Sequence, residues 1–302
     1  KTQKKADPQA EDVDQVRLHT LMGLVNLKQG DLEVAKTHFN KAVEVGQANR
    51  VVYLYLAQAH YKLEEYKATI DAINKAGVVA QDQPSLYTIL ARSHWELGHR
   101  SQAFASLDAA VKRYPGNETF LRQKIFYLID MELYQKAARM GERYLSEANA
   151  TAADHLAIGR ALRRSGQLGK ARDFLEGARL QYPGHLKIAV ELAQVYLDRD
   201  ATLAAAHIYE QVALQDPSFM GQAAELYRKA GKLYVALNLN ARVPKGQDKL
   251  QQRLAILLEL KSYALAASMK DDLLQAQLLE KQDIRYALAY ALFKSGEYQA
   301  AE

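Results

Sequence analysis

The chain repeats itself every thirty-four residues, and that recurrence constrains its fold more than any other feature. Taking Pro84 as position one, units open at Val16, Arg50, Pro84, Glu118, Ala152 and Leu186. Position eight is then Gly23, Ala57, Ala91, Ile125, Gly159 and Ala193, and position twenty is Ala35, Thr69, Ala103, Ala137, Ala171 and Ala205. Five of six residues in the first series are Gly or Ala, and none in the second exceeds Thr. Small side chains at fixed places in two successive helices are what close helix crossings require, because a larger group would push the axes apart. Within one unit, Tyr87, Leu90, Ala91 and His94 share one face of a first helix, helix A, Gly98 ends it, and Ala103, Leu107 and Ala110 mark a second, helix B. Tyr114-Pro115-Gly116 closes it, since proline lacks the donor that a continuing helix needs. The turn position reads Gly30, Glu64, Gly98, Glu132, Gly166 and Asp200, and closing prolines stand at Pro115, Pro183 and Pro217.

These marks resemble the tetratricopeptide repeat family, over nearly the whole chain. The resemblance implies an all-α fold, a right-handed α-α superhelix of about eight helix-turn-helix units plus a truncated ninth. Units are expected to open near residues 16, 50, 84, 118, 152, 186, 217, 247 and 282, after a polar tail over 1–14 that reads as a tail or a fraying helix end. Gly46 closes the first unit. Past Pro217 the spacing shifts, with helix B of the seventh unit cut at Val243-Pro244-Lys245-Gly246 and helix B of the eighth carrying Tyr263, Ala266 and Met269. The last helix B has only its first turn, so the natural chain is expected to continue beyond Glu302.

Composition narrows the chemistry. With no cysteine among 302 residues, disulfide frameworks, thiol catalysis and cysteine-ligated zinc are excluded. The net charge of +5 is concentrated: residues 84–185 hold 15 Lys and Arg against 10 Asp and Glu, the remainder 25 against 25. A basic middle suits either a solvated face or an acidic ligand. His60 and His94 share position eleven and read as packed residues, and no histidine pair has ligand spacing. Gly166-Gln167-Leu168-Gly169-Lys170-Ala171 lacks the first glycine, the Ser/Thr and the preceding strand of a phosphate loop, so it reads as a repeat turn. Neighbouring carboxylates such as Asp198 with Asp200 diverge on a helix. No enzyme, cofactor or metal is expected, and no nucleic acid, because no base-reading residue pair recurs from unit to unit.

In the family that the chain resembles, helix A lines a concave groove through positions two, five, six, nine, twelve and thirteen. Carried onto this sequence, those positions include Leu54, Tyr61, Thr88, Thr119, Gln123, Lys187, Glu191 and Gln194. The partner-binding residues expected among them are Tyr55, Gln58, Lys62, Arg92 and Trp95, followed by Arg122, Phe126, Arg160, Arg163 and Arg164. Arginine forks suit carboxylates, and aromatic rings give large contact area at low entropy cost. The expected role is a non-enzymatic scaffold that holds a peptide segment or helix of a partner protein, acidic in character. The alternative is an accessory subunit of a bacterial envelope complex. The wording from Leu237, Gln251 and Asp283 onward resembles envelope repeat proteins grouped with TonB-type energy transduction, which implies a periplasmic or envelope location, with a cytoplasmic one left open. No run of eighteen apolar residues occurs.

Overall fold

The computed structural model describes residues 8–45, 50–147 and 149–301. It is all-α, with no strand among the described residues. The helices are α1 (Pro8–Gln29), α2 (Leu32–Val45), α3 (Arg50–Lys62), α4 (Tyr66–Ala76), α5 (Val78–Gln81), α6 (Pro84–Glu96) and α7 (Arg100–Arg113). Next come α8 (Glu118–Asp130), α9 (Tyr134–Glu147), α10 (Ala152–Arg164), α11 (Leu168–Gln181), α12 (Leu186–Leu197) and α13 (Thr202–Ala213). Five A helices thus open at the residue that the recurrence marks. The first starts earlier, at Pro8, so residues 8–14 are helical; residues 1–7 and Gly46 lie outside the described residues. Two compact units emerge, Lys1–Glu132 with Met140–Ala148, and Leu133–Arg139 with Asn149–Glu302.

Within the first unit the small positions are where the helices meet. Ala35, Ala57, Thr69, Ala91 and Ala103 have no exposed surface. At Gly23 an added Cβ would stand 2.4 Å from Cε1 of Phe39, which is itself fully buried. The second unit repeats the arrangement: Ala137, Ala171, Ala193 and Ala205 are fully buried, and a Cβ at Gly159 would fall 2.3 Å from Cδ2 of Leu175. Such distances leave no room for a methyl group without displacing the opposing side chain.

The turns follow one backbone rule. Gly30, Glu64, Gly98, Glu132, Gly166 and Asp200 all adopt left-handed φ, from 58° to 92°. The next residue then donates its N–H back over the helix end, as in His99 to the His94 carbonyl (2.8 Å), Gln167 to Leu162 (3.0 Å) and Ala201 to Tyr196 (2.9 Å). This closes a carbonyl that the helix leaves open. Where Glu or Asp replaces Gly, the chain accepts a steric cost of about 1 kcal/mol to keep the turn. Successive repeats are also pinned at their ends, because the Tyr114 hydroxyl donates to the Gln81 carbonyl and that of Tyr182 to Ala150, both at 2.8 Å.

After a single 3-10 turn at Pro217–Phe219 the units shorten: α14 (Met220–Lys229), α15 (Leu233–Arg242), α16 (Gln247–Glu259) and α17 (Tyr263–Ala267). The eighth helix B does not run through Met269 as its spacing suggested. It stops at Ala267, and α18 (Lys270–Gln275) restarts with Asp271 and Asp272 in its first turn, where carboxylates suit the positive helix end. Leu254, Leu257, Ala266, Leu273, Leu278 and Leu288 fill the core below this break. Helix α19 (Gln282–Ser295) and α20 (Tyr298–Ala301) follow. Among the described residues no helix is long and apolar enough to cross a membrane.

Two glycine replacements separate crossing constraint from helix propensity. Gly177 on α11 has open space around its Cβ position, so Gly177→Ala is expected to stabilise by up to about 1 kcal/mol. Gly159→Ala gains the same propensity but incurs overpacking of about 1–3 kcal/mol, and should lower the urea midpoint instead. Equal shifts in the two variants would contradict the crossing constraint.

Candidate functional site

A hollow of about 690 Å³ opens on the first unit. Its walls are built by helical spacing: Thr88 and Arg92 lie one turn apart on α6, Thr119 and Gln123 one turn apart on α8, and Arg122 and Phe126 likewise. Tyr61 and Lys62 close it from the end of α3, with Glu64 from the turn beyond and Tyr66 from the start of α4. These A-helix residues occupy the positions expected to face a groove. A second hollow of about 530 Å³ shares Arg92, Phe126 and Tyr127 with the first and reaches Arg100 and Asp130. Phe126, 41% exposed, stands as an apolar ridge between the two.

Lys62, Arg92 and Arg122 face the first hollow together with the carboxylate of Glu64. Arg92 pairs with Glu96 at 2.6 Å, and Arg122 donates to the Tyr144 hydroxyl from Nη2 and Nε at 2.8 and 3.1 Å. The floor is fixed by Gln123, whose amide donates to the Tyr127 hydroxyl at 2.7 Å. Burial pushes the phenols of Tyr66 and Tyr127 up, so both stay protonated donors. The Thr88 hydroxyl is committed to the Ser85 carbonyl at 2.6 Å. The walls thus offer cations and apolar surface for a ligand.

Trp95 takes a different part from the one its sequence position suggests. Only 6% exposed, it lies between the Arg100 guanidinium, 3.7 Å from its ring centre, and Tyr127, stacked at 3.9 Å and 2° from parallel. This three-layer stack holds α6, α7 and α8 together, and the indole reaches the second hollow only as part of its wall. Tyr55 likewise packs on Phe39, with ring centres 5.8 Å apart, and Leu54 is buried in the core. Tyr55 and half-buried Gln58 are outside the hollow. Tyr66 and Tyr127, which spacing did not single out, line it from the start of a helix B and from a core position of helix A.

Two arginines of the second unit, Arg160 and Arg163, bond to the next repeat. Arg163 Nε donates to Glu191 at 2.7 Å and its Nη1 to Asp198 at 2.9 Å, while Arg160 Nε reaches Glu191 at 3.2 Å. Burial alone would lower the Arg163 guanidinium, but its bonds to Glu191 and Asp198 outweigh that and hold it above its ordinary value. Glu191 is itself buried. Arg164 is exposed on α10. Arg160 and Arg163, expected to face a ligand, both reach a carboxylate supplied by the next repeat, with Arg163 largely buried and Arg160 exposed.

The histidines follow the packing expectation. His60 bonds Glu65, whose carboxyl is held below its ordinary range by hydrogen bonds from Lys36 and then His60. Burial, aided by nearby His99, lowers the half-buried His94 imidazole. Among the described residues no group of three His, Asp or Glu side chains could hold a metal ion.

Comparison with known proteins agrees with this architecture. Residues 20–83 match one family model described as a tetratricopeptide repeat, and residues 87–117 match another of the same description. A solved structure of the C-terminal part of a repeat-containing protein from Cytophaga hutchinsonii is similar, with 16% identity and a TM-score of 0.65 over 78% of this chain and 93% of that one. A tetratricopeptide repeat protein from Parabacteroides merdae shows 13% identity and a TM-score of 0.56 over 92% and 99%. YrrB, described as a TPR protein with an unusual peptide-binding site, shows 17% identity and a TM-score of 0.51 over 64% and 97%. At these identities the likeness is one of fold. No curated protein matches the chain in sequence.

The bond from Arg163 to the next repeat has a measurable consequence. Glu191→Ala strands a guanidinium that is largely buried, and should cost about 2–3 kcal/mol in urea unfolding, below the value for a fully enclosed pair because Asp198 still holds Arg163. Replacing both partners, Arg163→Met with Glu191→Leu, should recover most of that loss. A Glu191→Ala variant as stable as the parent would leave Arg160 and Arg163 as ligand-facing groups.

Proposed function

Because the chain is a tetratricopeptide repeat protein, we propose that it acts as a protein-binding scaffold, taking a peptide segment or helix of a partner in the twin hollows of its first unit. The observation that carries this is the exposed Phe126 ring with Arg92 and Arg122 beside it. An apolar side chain of the partner would lie on Phe126, and carboxylates near it would meet the two guanidiniums. The partner is therefore acidic around a bulky apolar residue. Nothing in the lining calls for catalysis. The reading extends to a periplasmic or envelope setting, supported by the wording of the C-terminal sequence; cell fractionation with an antibody against the chain tests it.

Peptides selected on the full-length chain from a displayed library should be enriched in Asp and Glu flanking an apolar residue. Phe126→Ala with Arg92→Ala should weaken the best of them by at least about tenfold in fluorescence anisotropy, with helicity unchanged, and added salt should weaken wild-type binding. Unaltered affinity in the double variant would remove the hollow as the site.

A further inference from the structure

Stacking hides one face of the A helices α3 and α12. In α3, which packs on α2 and α4, Val52, Leu56 and Ala59 stand at positions three, seven and ten, and all are buried. In α12, which packs on α10, α11 and α13, Ile188, Leu192 and Val195 at those positions are buried. Helix α1 keeps apolar residues there, Leu18, Met22 and Val25, yet leaves them 55%, 41% and 53% exposed, with Leu21 beside them at 61%. Those values are far above what a surface helix needs, and the residues are contiguous on one face, which marks an interaction site. The buried side of α1 is a separate face, defined by Gly23 and Leu27.

The exposed stripe has a regular order. Asp14, Leu18, Leu21, Val25 and Lys28 follow one another at alternating intervals of four and three residues, the seam spacing of paired helices. Its middle is apolar, its N-terminal end acidic and its C-terminal end basic.

We propose that this stripe is a self-association surface, covered by the α1 of a second copy of the chain running antiparallel to it. Two observations select that occupant. The stripe holds apolar residues at the repeat positions that are buried against other helices in α3 and α12, so helix-on-helix packing is the contact it is shaped for. The charge order then chooses the partner and its direction. An antiparallel pair with its twofold axis near Leu21 sets each Asp14 opposite a Lys28, whereas a parallel pair would stack Asp14 on Asp14 and Lys28 on Lys28. Such a self-complementary patch closes as a symmetric dimer. Asp14 also lies 4.0 Å from Arg17 on its own helix, an exposed and weak contact that leaves its carboxylate able to meet a second cation.

Sedimentation of the full-length chain should show a concentration-dependent dimer, and Leu21→Glu with Val25→Glu should raise its dissociation constant by about a hundredfold at unchanged far-UV circular dichroism. Because the chain has no cysteine, disulfide trapping reports direction without interference. Leu21→Cys should cross-link to itself, and Asp14→Cys should cross-link to Lys28→Cys in a mixture but not to itself. A chain that stays monomeric at every concentration, a dimer indifferent to the two glutamates, or Asp14→Cys cross-linking to itself would each overturn the proposal. None of these outcomes depends on what occupies the hollow of α3, α6 and α8.

Discussion

Everything in this molecule depends on how near two helices come at a small residue. With Gly23 against Phe39 and Gly159 against Leu175, the gap at the crossing is smaller than one methyl group. That closeness fixes the separation of the paired axes and hence the place of each neighbouring face. The alanines at the other crossings act the same way, and their complete burial shows that the spacing is used at each of them. Helix propensity could be met by many residues at these positions, but close approach could not.

The hollow is a consequence of that spacing. Once α3, α6 and α8 are held in register, residues one turn apart on each helix line up across the unit, and Arg92, Arg122 and Phe126 converge although 34 residues separate Arg92 from Phe126. The supports around them are rigid. Trp95 is clamped between Arg100 and Tyr127, and Gln123 ties α8 to Tyr127. A site held by stacked rings and short hydrogen bonds loses little freedom when a partner arrives, which favours binding.

Fold was legible in the sequence because its rules are local. Glycine or alanine at a crossing and a left-handed residue at a turn leave marks at fixed intervals, and even Glu64, Glu132 and Asp200, which look wrong for a turn, obey the backbone rule that glycine obeys. The site was legible only by face. Spacing could place Arg92 and Phe126 on the groove side of their helices, but it could not reveal that Arg163 faces Glu191, 28 residues away, because that pairing depends on where the next repeat lies. The burial of Trp95 was hidden from the sequence for the same reason: its neighbours Arg100 and Tyr127 come from two other helices. The restart at Lys270 escaped because Tyr263, Ala266 and Met269 keep helical spacing across a point where the backbone breaks.

The central claim is that the partner lies in the hollow of the first unit, and hydrogen exchange of the full-length chain with and without a bound peptide addresses it most directly. Slowed exchange confined to the end of α3, to α6 around Thr88–Arg92 and to α8 around Thr119–Phe126 is the result predicted here. Protection that instead falls on α4 and α7, with those three segments unchanged, would contradict it.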